Sequence, residues 1–463
     1  MTATQPSITA PRDPRHVRPG VLSANPWLFP TPEIARLDNG LEVWAYRLPG
    51  QHVIALDLTL DVHLSVEPRE LEGVATMTLR TSDEGGLDHP GARLAEALES
   101  AGAVYDGAIN HQFTGCSLDA PATRIDTALD LFREILTRPE HHPADLNRHV
   151  ALRLAEIEQG RASGPATASR ATRQVVWGRE QRRGRPSGGD AHTLGRLTRD
   201  HLAEFHQRTW RPDVARIVIA GDHPDLIGQV ARGLGGWARP DVEAVTSLES
   251  PVALPAGGAR VVHLVDRPEA VQADVRISGI GLSRRDRDLP ALQLAGVAVG
   301  GSFLSRLNKR IREELGYTYG ISFGHQPNPT TPRWQVSTSV RTEVVAAALD
   351  ETQTLLDLTT HGLTDRELAD ARAQLVTMAP LRYETASAIV GQAASLAVDR
   401  LDVDWINRHF ARMSAIDPDE ATEVFSRVVA ADRHQVVVVG PADTLAPDLE
   451  ARGFRVVSHD VEE

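Results

Sequence analysis

Val214-Ala215-Arg216-Ile217-Val218-Ile219-Ala220-Gly221-Asp222 and Gln435-Val436-Val437-Val438-Val439-Gly440-Pro441-Ala442-Asp443 are the two stretches on which the fold reading turns. Each is a short run rich in Val or Ile that stops at a glycine and soon reaches an aspartate. β-branched side chains fit a pleated strand, so Val214–Ala220 and Gln435–Val439 read as strands. A helical pattern precedes each one, at Leu197–Trp210 and Pro418–Ala430. Two similar closing units about half a chain apart indicate a duplicated α+β unit of roughly 220 residues.

Working outward, both halves fill in the same way. Leu37-Asp38-Asn39-Gly40-Leu41 reads as a tight turn, because Asn-Gly readily adopts positive φ. Strands are expected at Leu41–Arg47, Val53–Leu64 and as a pair over Ala103–Ala120. Helices are expected at Glu72–Thr81, Gly91–Ser100, Thr127–Thr137 and Ala144–Glu158. The second half offers strands at Arg260–Leu264, Ala273–Ile277, Thr318–Gly324 and Arg333–Val340. Helices are expected there at Leu289–Ala298, Ser302–Leu315, Thr342–Thr360 and Thr364–Ala379. Gly316 follows one of them as a left-handed cap. The expected fold is α+β, with two tandem homologous α/β-sandwich domains. The boundaries read as a Pro-rich arm 1–32, a first domain 33–238, a linker 239–258 and a second domain 259–463. Arg161–Asp190 is dense in Arg, Gly and Ser and reads as a solvated basic surface segment, the alternative being a basic loop that meets a partner.

Composition sets outer limits. The chain has 463 residues and a net charge of −13. That balance argues against nucleic acid or an anionic membrane as the main partner. Cys116 is the single cysteine, so no intrachain disulfide or cysteine-based zinc knuckle can form. Met1–Gly20 lacks the apolar core of a signal peptide, and no apolar run approaches a membrane span. A cytoplasmic location is the expectation.

Several segments together resemble the insulinase/pitrilysin zinc metallopeptidases of the bacterial processing-peptidase type. They are Leu37–Leu41, Trp177-Gly178 through Gly184-Arg185-Pro186, and Thr198-Arg199-Asp200 through Trp210-Arg211-Pro212. In the second half they are Gly300–Leu307 and Ile311-Arg312-Glu313-Glu314-Leu315-Gly316-Tyr317-Thr318-Tyr319. That family's zinc motif is His-x-x-Glu-His on a helix plus a distant Glu. Two His four apart share a helix face and hold the ion, and the Glu between them is the general base. Alignment on Glu72-Gly73-Val74-Ala75 puts Thr76 at the first His, Leu79 at the base and Arg80 at the second His. Glu156 keeps the distant ligand position. One carboxylate cannot hold a catalytic zinc, so no metal is expected in this chain. Glu156 then becomes an ordinary helical glutamate that can pair with Arg80.

No substitute site emerges from the sequence. His201 and His206 are five apart, about 140° around a helix, and read as solvated or capping residues. His141 and His142 precede Pro143 and read as a loop. No Gly-x-Ser-x-Gly elbow is present, and the glycines near Gly279 lack a dinucleotide fingerprint.

The family's second-domain Arg/Tyr pair, seven residues apart, is matched by Arg312 and Tyr319. Arg310 and Tyr317 fit the same spacing. The resemblance implies that Arg312 and Tyr319 bind the substrate carbonyl and stabilise the oxyanion. It also implies substrate contacts at Asn110, Phe113 and Tyr317, with Asn110–Ala120 corresponding to the substrate-pairing sheet edge. A lost zinc motif beside a kept Arg/Tyr pair resembles the non-zinc subunit of a heterodimeric peptidase. The two subunits close like a clamshell, and Zn²⁺ sits in a His-x-x-Glu-His partner. The substrate implied is an unfolded peptide or leader peptide. The alternative is a non-catalytic scaffold, like the core subunits of the respiratory bc1 complex, or a peptide-binding homologue.

Overall fold

The computed structural model describes residues 27–241, 243–244 and 257–461. Most of the expected Pro-rich arm and most of the expected linker fall outside those residues. Twelve strands build two sheets among the described residues. The first half supplies β1 (Glu33–Arg36), β2 (Glu42–Arg47), β3 (Val53–Leu60), β4 (Val104–Ile109), β5 (Thr114–Pro121) and β6 (Ala215–Gly221). The second supplies β7 (Val261–Asp266), β8 (Gln272–Ile280), β9 (Thr318–Gln326), β10 (Arg333–Arg341), β11 (Gln435–Gly440) and β12 (Arg455–Ser458). The sheet orders are β1-β2-β6-β3-β5-β4 and β12-β7-β11-β8-β10-β9. Five positions correspond one for one, including the parallel pairs β2/β6 and β7/β11. Only the outer strand differs. β1 comes from the start of its half and runs antiparallel to β2; β12 comes from the end and runs parallel to β7.

The strands that close each half are buried along nearly their whole length, which requires cover on both faces. Side chains alternate across a strand, so each face can be traced. Ile217 and Ile219 point into the first half's own core, with Leu129, Phe132 and Leu202. Val218 and Ala220 point the other way, into a cluster with Ile389, Val390, Ala393 and Ala397 of helix Ala386–Val398. The second half mirrors this. Val436 and Val438 join its own core, while Val437 and Val439 meet Ala168, Ala171 and Val175 of helix Gly164–Trp177. Each half therefore lends one helix to the other half's sheet.

Helix Gly164–Trp177 corrects the reading of Arg161–Asp190 as solvated surface. Ser163 caps it, its hydroxyl accepting from the Ala166 N–H at 3.4 Å, and Pro165 sits in the first turn. Small residues let the helix lie close on the sheet. A Cβ at Gly164 would fall 2.2 Å from the Asp274 carboxylate. Helix Ala386–Val398 has no counterpart in the sequence reading. The expected helix Ser302–Leu315 is broken: Ser302–Ser305 is a turn, and Asn308–Glu314 winds with π-type spacing before Gly316 at φ +63°.

One consequence of the lent helices is an acidic group beneath them. Asp57 on β3 lies under helix Ala386–Val398, where a Cβ on Gly391 would sit 4.0 Å from its Oδ2. Burial, then the Asp119 charge, raises its pKa from 3.8 to about 6. The folded state thus holds this proton more tightly than the unfolded chain. Asp57's favourable contribution is full below about 4 and is lost as pH rises through about 6. Asp57→Asn is expected to remove that slope and to stabilise the chain at pH 7 by up to ~3 kcal/mol, at about 1.36 kcal/mol per pKa unit. Urea unfolding of both proteins across pH 4–7 checks this.

Candidate functional site

The first half's site starts with a buried ion pair. The Glu67 carboxylate accepts from the Gly73 and Ala75 N–H groups, both at 3.0 Å, at the start of helix Val74–Arg80. Arg182 clamps the same carboxylate through Nε at 2.9 Å and Nη2 at 2.6 Å. Arg185 forks onto Glu72 beside it, with Nη2 2.6 Å from Oε1. The arginines that made the sequence look like a solvated loop therefore fix the helix of the degenerate motif. Removing one partner of a buried pair strands the other. Arg182→Met is expected to cost ~3–5 kcal/mol, read as a lower urea midpoint.

That helix presents Thr76, Leu79 and Arg80 to a cavity of about 410 Å³. Thr76 Oγ1 donates to the Ser187 carbonyl at 3.3 Å. Leu79 is buried against β4, and a Cβ on Gly107 would lie 2.8 Å from its Cδ1. Arg80 reaches helix Pro143–Ala162 and forks onto Glu156, at 3.0 Å to Oε1 and 3.2 Å to Oε2. Arg153 holds the same carboxylate at 2.9 Å. Burial alone would raise the Glu156 pKa, but hydrogen bonds from Arg80 and Arg153 outweigh it and hold the carboxyl below its ordinary range. Both oxygens of the retained carboxylate are thus engaged by guanidinium groups. No group of three or more metal-ligating side chains occurs among the described residues. The residues here do not fit zinc. The Thr76→His/Arg80→His double variant is expected to take up one zinc per chain with Glu156, and the parent none, by metal analysis after dialysis.

The residues expected to contact substrate in this half sit at a hairpin tip. Asn110 Oδ1 accepts from the Gln112 N–H at 2.7 Å and the Phe113 N–H at 3.2 Å, so its side chain is engaged in the turn. The Phe113 ring lies over Gly115, 3.2 Å from where a Cβ would stand. The expected sheet edge, Asn110–Ala120, needs correction. Thr114–Pro121 is β5, an interior strand between β3 and β4. The edge is β4, Val104–Ile109, which pairs only with β5. Its residues are exposed or half-buried throughout, with Val104 66% exposed.

The histidine reading also changes in part. His201 does cap a helix, its Nδ1 accepting from the Thr198 N–H at 3.3 Å. His206 is half-buried rather than solvated. Its Nε2 lies 3.1 Å from the Leu136 carbonyl, and burial, then His141, lowers its pKa to about 3.

In the second half, Asn308 organises the Arg/Tyr region. Its Nδ2 donates to the carbonyls of Ile321 at 2.9 Å and Ser302 at 3.1 Å, and its Oδ1 accepts from the Ile321 N–H at 3.3 Å. One amide thus ties the turn Ser302–Ser305 to edge strand β9 and occupies the edge's own hydrogen-bonding groups. The Arg312 guanidinium lies 3.6 Å from the Phe303 ring centroid and contacts Glu313 at 2.5 Å. Tyr319 is 94% exposed, and Phe303 and Leu304 beside this turn are 69% and 85% exposed. Arg310 is differently placed. It forks onto Glu351 at 2.9 and 3.0 Å and contacts Glu314 at 3.1 Å. Those carboxylates raise its pKa. Tyr317 is half-buried against the second core.

Comparison with known proteins adds four findings. Residues 196–375, which include Arg312 and Tyr319, match the family of the peptidase M16 inactive domain. An uncharacterised zinc protease of Streptomyces coelicolor is 24% identical over 88% of this chain and 88% of that one. Among solved structures, a peptidase M16 inactive domain from Pseudomonas fluorescens aligns with a TM-score of 0.82 at 22% identity, over 89% of this chain and 98% of that one. The periplasmic protease PqqL from Escherichia coli aligns with a TM-score of 0.70 at 15% identity, over 95% of this chain and 52% of that one.

Proposed function

We propose that this chain, which is similar to the insulinase/pitrilysin (M16) family, is the non-zinc subunit of a heterodimeric zinc metallopeptidase. A homologous partner with an intact His-x-x-Glu-His motif supplies the zinc and its activated water. This chain supplies Arg312 and Tyr319. Their guanidinium and hydroxyl donate hydrogen bonds to the scissile carbonyl oxygen as it takes on charge, in a chamber formed when the two chains close. The substrate is an unfolded peptide or leader peptide, and the location is cytoplasmic. A peptide adds to the open edge at β4 through backbone hydrogen bonds, a mode with loose side-chain demands.

One observation carries the choice of residues. Arg310 is engaged by two carboxylates and Tyr317 is half-buried, whereas Arg312 contacts its chain neighbour Glu313 and the Phe303 ring, and Tyr319, Phe303 and Leu304 are all exposed. Large apolar and aromatic side chains exposed beside a hydrogen-bonding pair favour a surface that a partner or substrate covers.

The test is peptide hydrolysis by this chain, by a zinc-motif homologue, and by the two mixed. Activity is expected only in the mixture and is lost with a chelator. Tyr319→Phe and Arg312→Lys are each expected to lower the mixture's kcat by ~10²–10³. Arg310→Lys is expected to leave it near the parent value. A zinc chain that cleaves equally well alone assigns this chain to the scaffold role.

A further inference from the structure

A cavity of about 500 Å³ lies where the two halves meet. It is bounded by the β4–β5 hairpin tip, helix Gly164–Trp177 and the β9–β10 hairpin. That volume is in the range of ligand sites, ~300–1,000 Å³. Arg173, Arg183, Arg284 and Arg333 line it, and no Asp or Glu is among the described lining residues. In a chain of net charge −13, four guanidinium groups around one space is a strong local inversion of sign.

The walls offer hydrogen-bond donors that lack acceptors. Arg284 is held by Asp399 and Arg183 stacks on Trp177 with 5.3 Å to the ring centroid, so these two are anchored. Arg173 and Arg333 make no ion pair with a described residue. Arg173 Nε is buried without a hydrogen-bond partner, and Arg333 reaches only the Gln326 side chain at 3.4 Å. Burial, then the neighbouring guanidiniums led by Arg333, pulls the Arg173 pKa down to about 10. His325 adds a separate indication. Its Nε2 accepts from the Leu282 N–H at 3.0 Å, which puts the proton of the neutral ring on Nδ1. That Nδ1 is buried and has no partner. An oxyanion in the cavity is a charge-assisted acceptor for the guanidinium groups that line it.

We propose that this cavity binds the carboxylates of an acidic segment of the peptide substrate, with Arg173 and Arg333 as the principal contacts. The inference rests on reading the chain as a peptide-handling subunit. It extends that reading because β4, the open sheet edge, ends at the hairpin tip whose Asn110–Gln112 line the cavity. A peptide paired along β4 is thereby led to the arginines. Acidic side chains near the paired stretch would then set a preference that backbone pairing cannot supply.

The experiment measures binding to the full chain alone, without a zinc partner, so it does not depend on proteolysis. The probes are a short glutamate-rich peptide, its glutamine counterpart and inorganic tripolyphosphate, followed by calorimetry. The acidic peptide is expected to bind at least about tenfold more tightly than the neutral one, the size of one charge-assisted contact. Arg173→Gln/Arg333→Gln is expected to remove that difference and leave the neutral peptide's affinity unchanged. Arg333→Lys, which keeps the charge but not the fork, guards against a folding artefact and is expected to lose only part of it. Equal binding of the two peptides overturns the proposal, as does an equal loss for both in the double variant. Arginine-dependent binding of tripolyphosphate without binding of the acidic peptide also overturns it, by assigning the cavity to a free anion. Acid-selective binding in a chain that gives no activity with any zinc partner would sink the peptidase role and leave this site standing.

Discussion

The exchange of helices between the halves is the contact on which the rest of the molecule depends. A sheet whose central strand is apolar on both faces has to be covered twice. Here the second cover comes from the other half: Ala386–Val398 on the first sheet and Gly164–Trp177 on the second. Each buried Val or Ile side chain at these contacts contributes ~1.5–3 kcal/mol, so the interface is an integral part of both cores. Residues of the two hairpin tips, β4–β5 and β9–β10, and of helix Gly164–Trp177 line one cavity. The basic cavity thus has one wall formed by an exchanged helix.

The duplicated sheet was legible in the sequence because strand and turn signals are local. Val214–Ala220 and Gln435–Val439, the turn at Asn39-Gly40 and the cap at Gly316 all carry their meaning within a few residues. The two exchanged helices were not legible, for opposite reasons. Gly164–Trp177 is interrupted by Gly, Pro, Ser and Arg, and its apolar face meets a sheet encoded in the other half of the chain. Ala386–Val398 is built from small residues around most of its circumference and shows little contrast between faces. In both cases tertiary contact overrides a weak local pattern. The edge strand was misplaced for a related reason. A hairpin's two strands look alike in sequence, and only the sheet order separates the interior one from the outer one.

The candidate site was legible in its residue types and less so in its geometry. Sequence showed that Thr76, Leu79 and Arg80 cannot ligate a metal. It did not show that Glu67 and Arg182 hold that helix by its N-terminus, with a buried pair bridging more than a hundred residues. The helix has lost its ligands and kept its mounting. In the second half, spacing alone could not separate Arg310/Tyr317 from Arg312/Tyr319. The structure adds the surroundings of each: Arg310 is held by Glu351 and Glu314, while Arg312 meets its chain neighbour Glu313 and the Phe303 ring.

The order in which the exchanged helices are made has a consequence during synthesis. The first sheet is complete in sequence at Gly221, yet the helix that covers Val218 and Ala220 begins only at Ala386. At ~5–20 residues per second, a ribosome needs on the order of ten seconds or more to bridge that gap. Throughout that interval an emerging first half displays an apolar sheet face without the helix that covers it in the finished protein. Newly made chains are therefore a natural client for holding factors, and a ribosome that stalls between the halves releases a product that is sticky on the face the finished protein hides most completely.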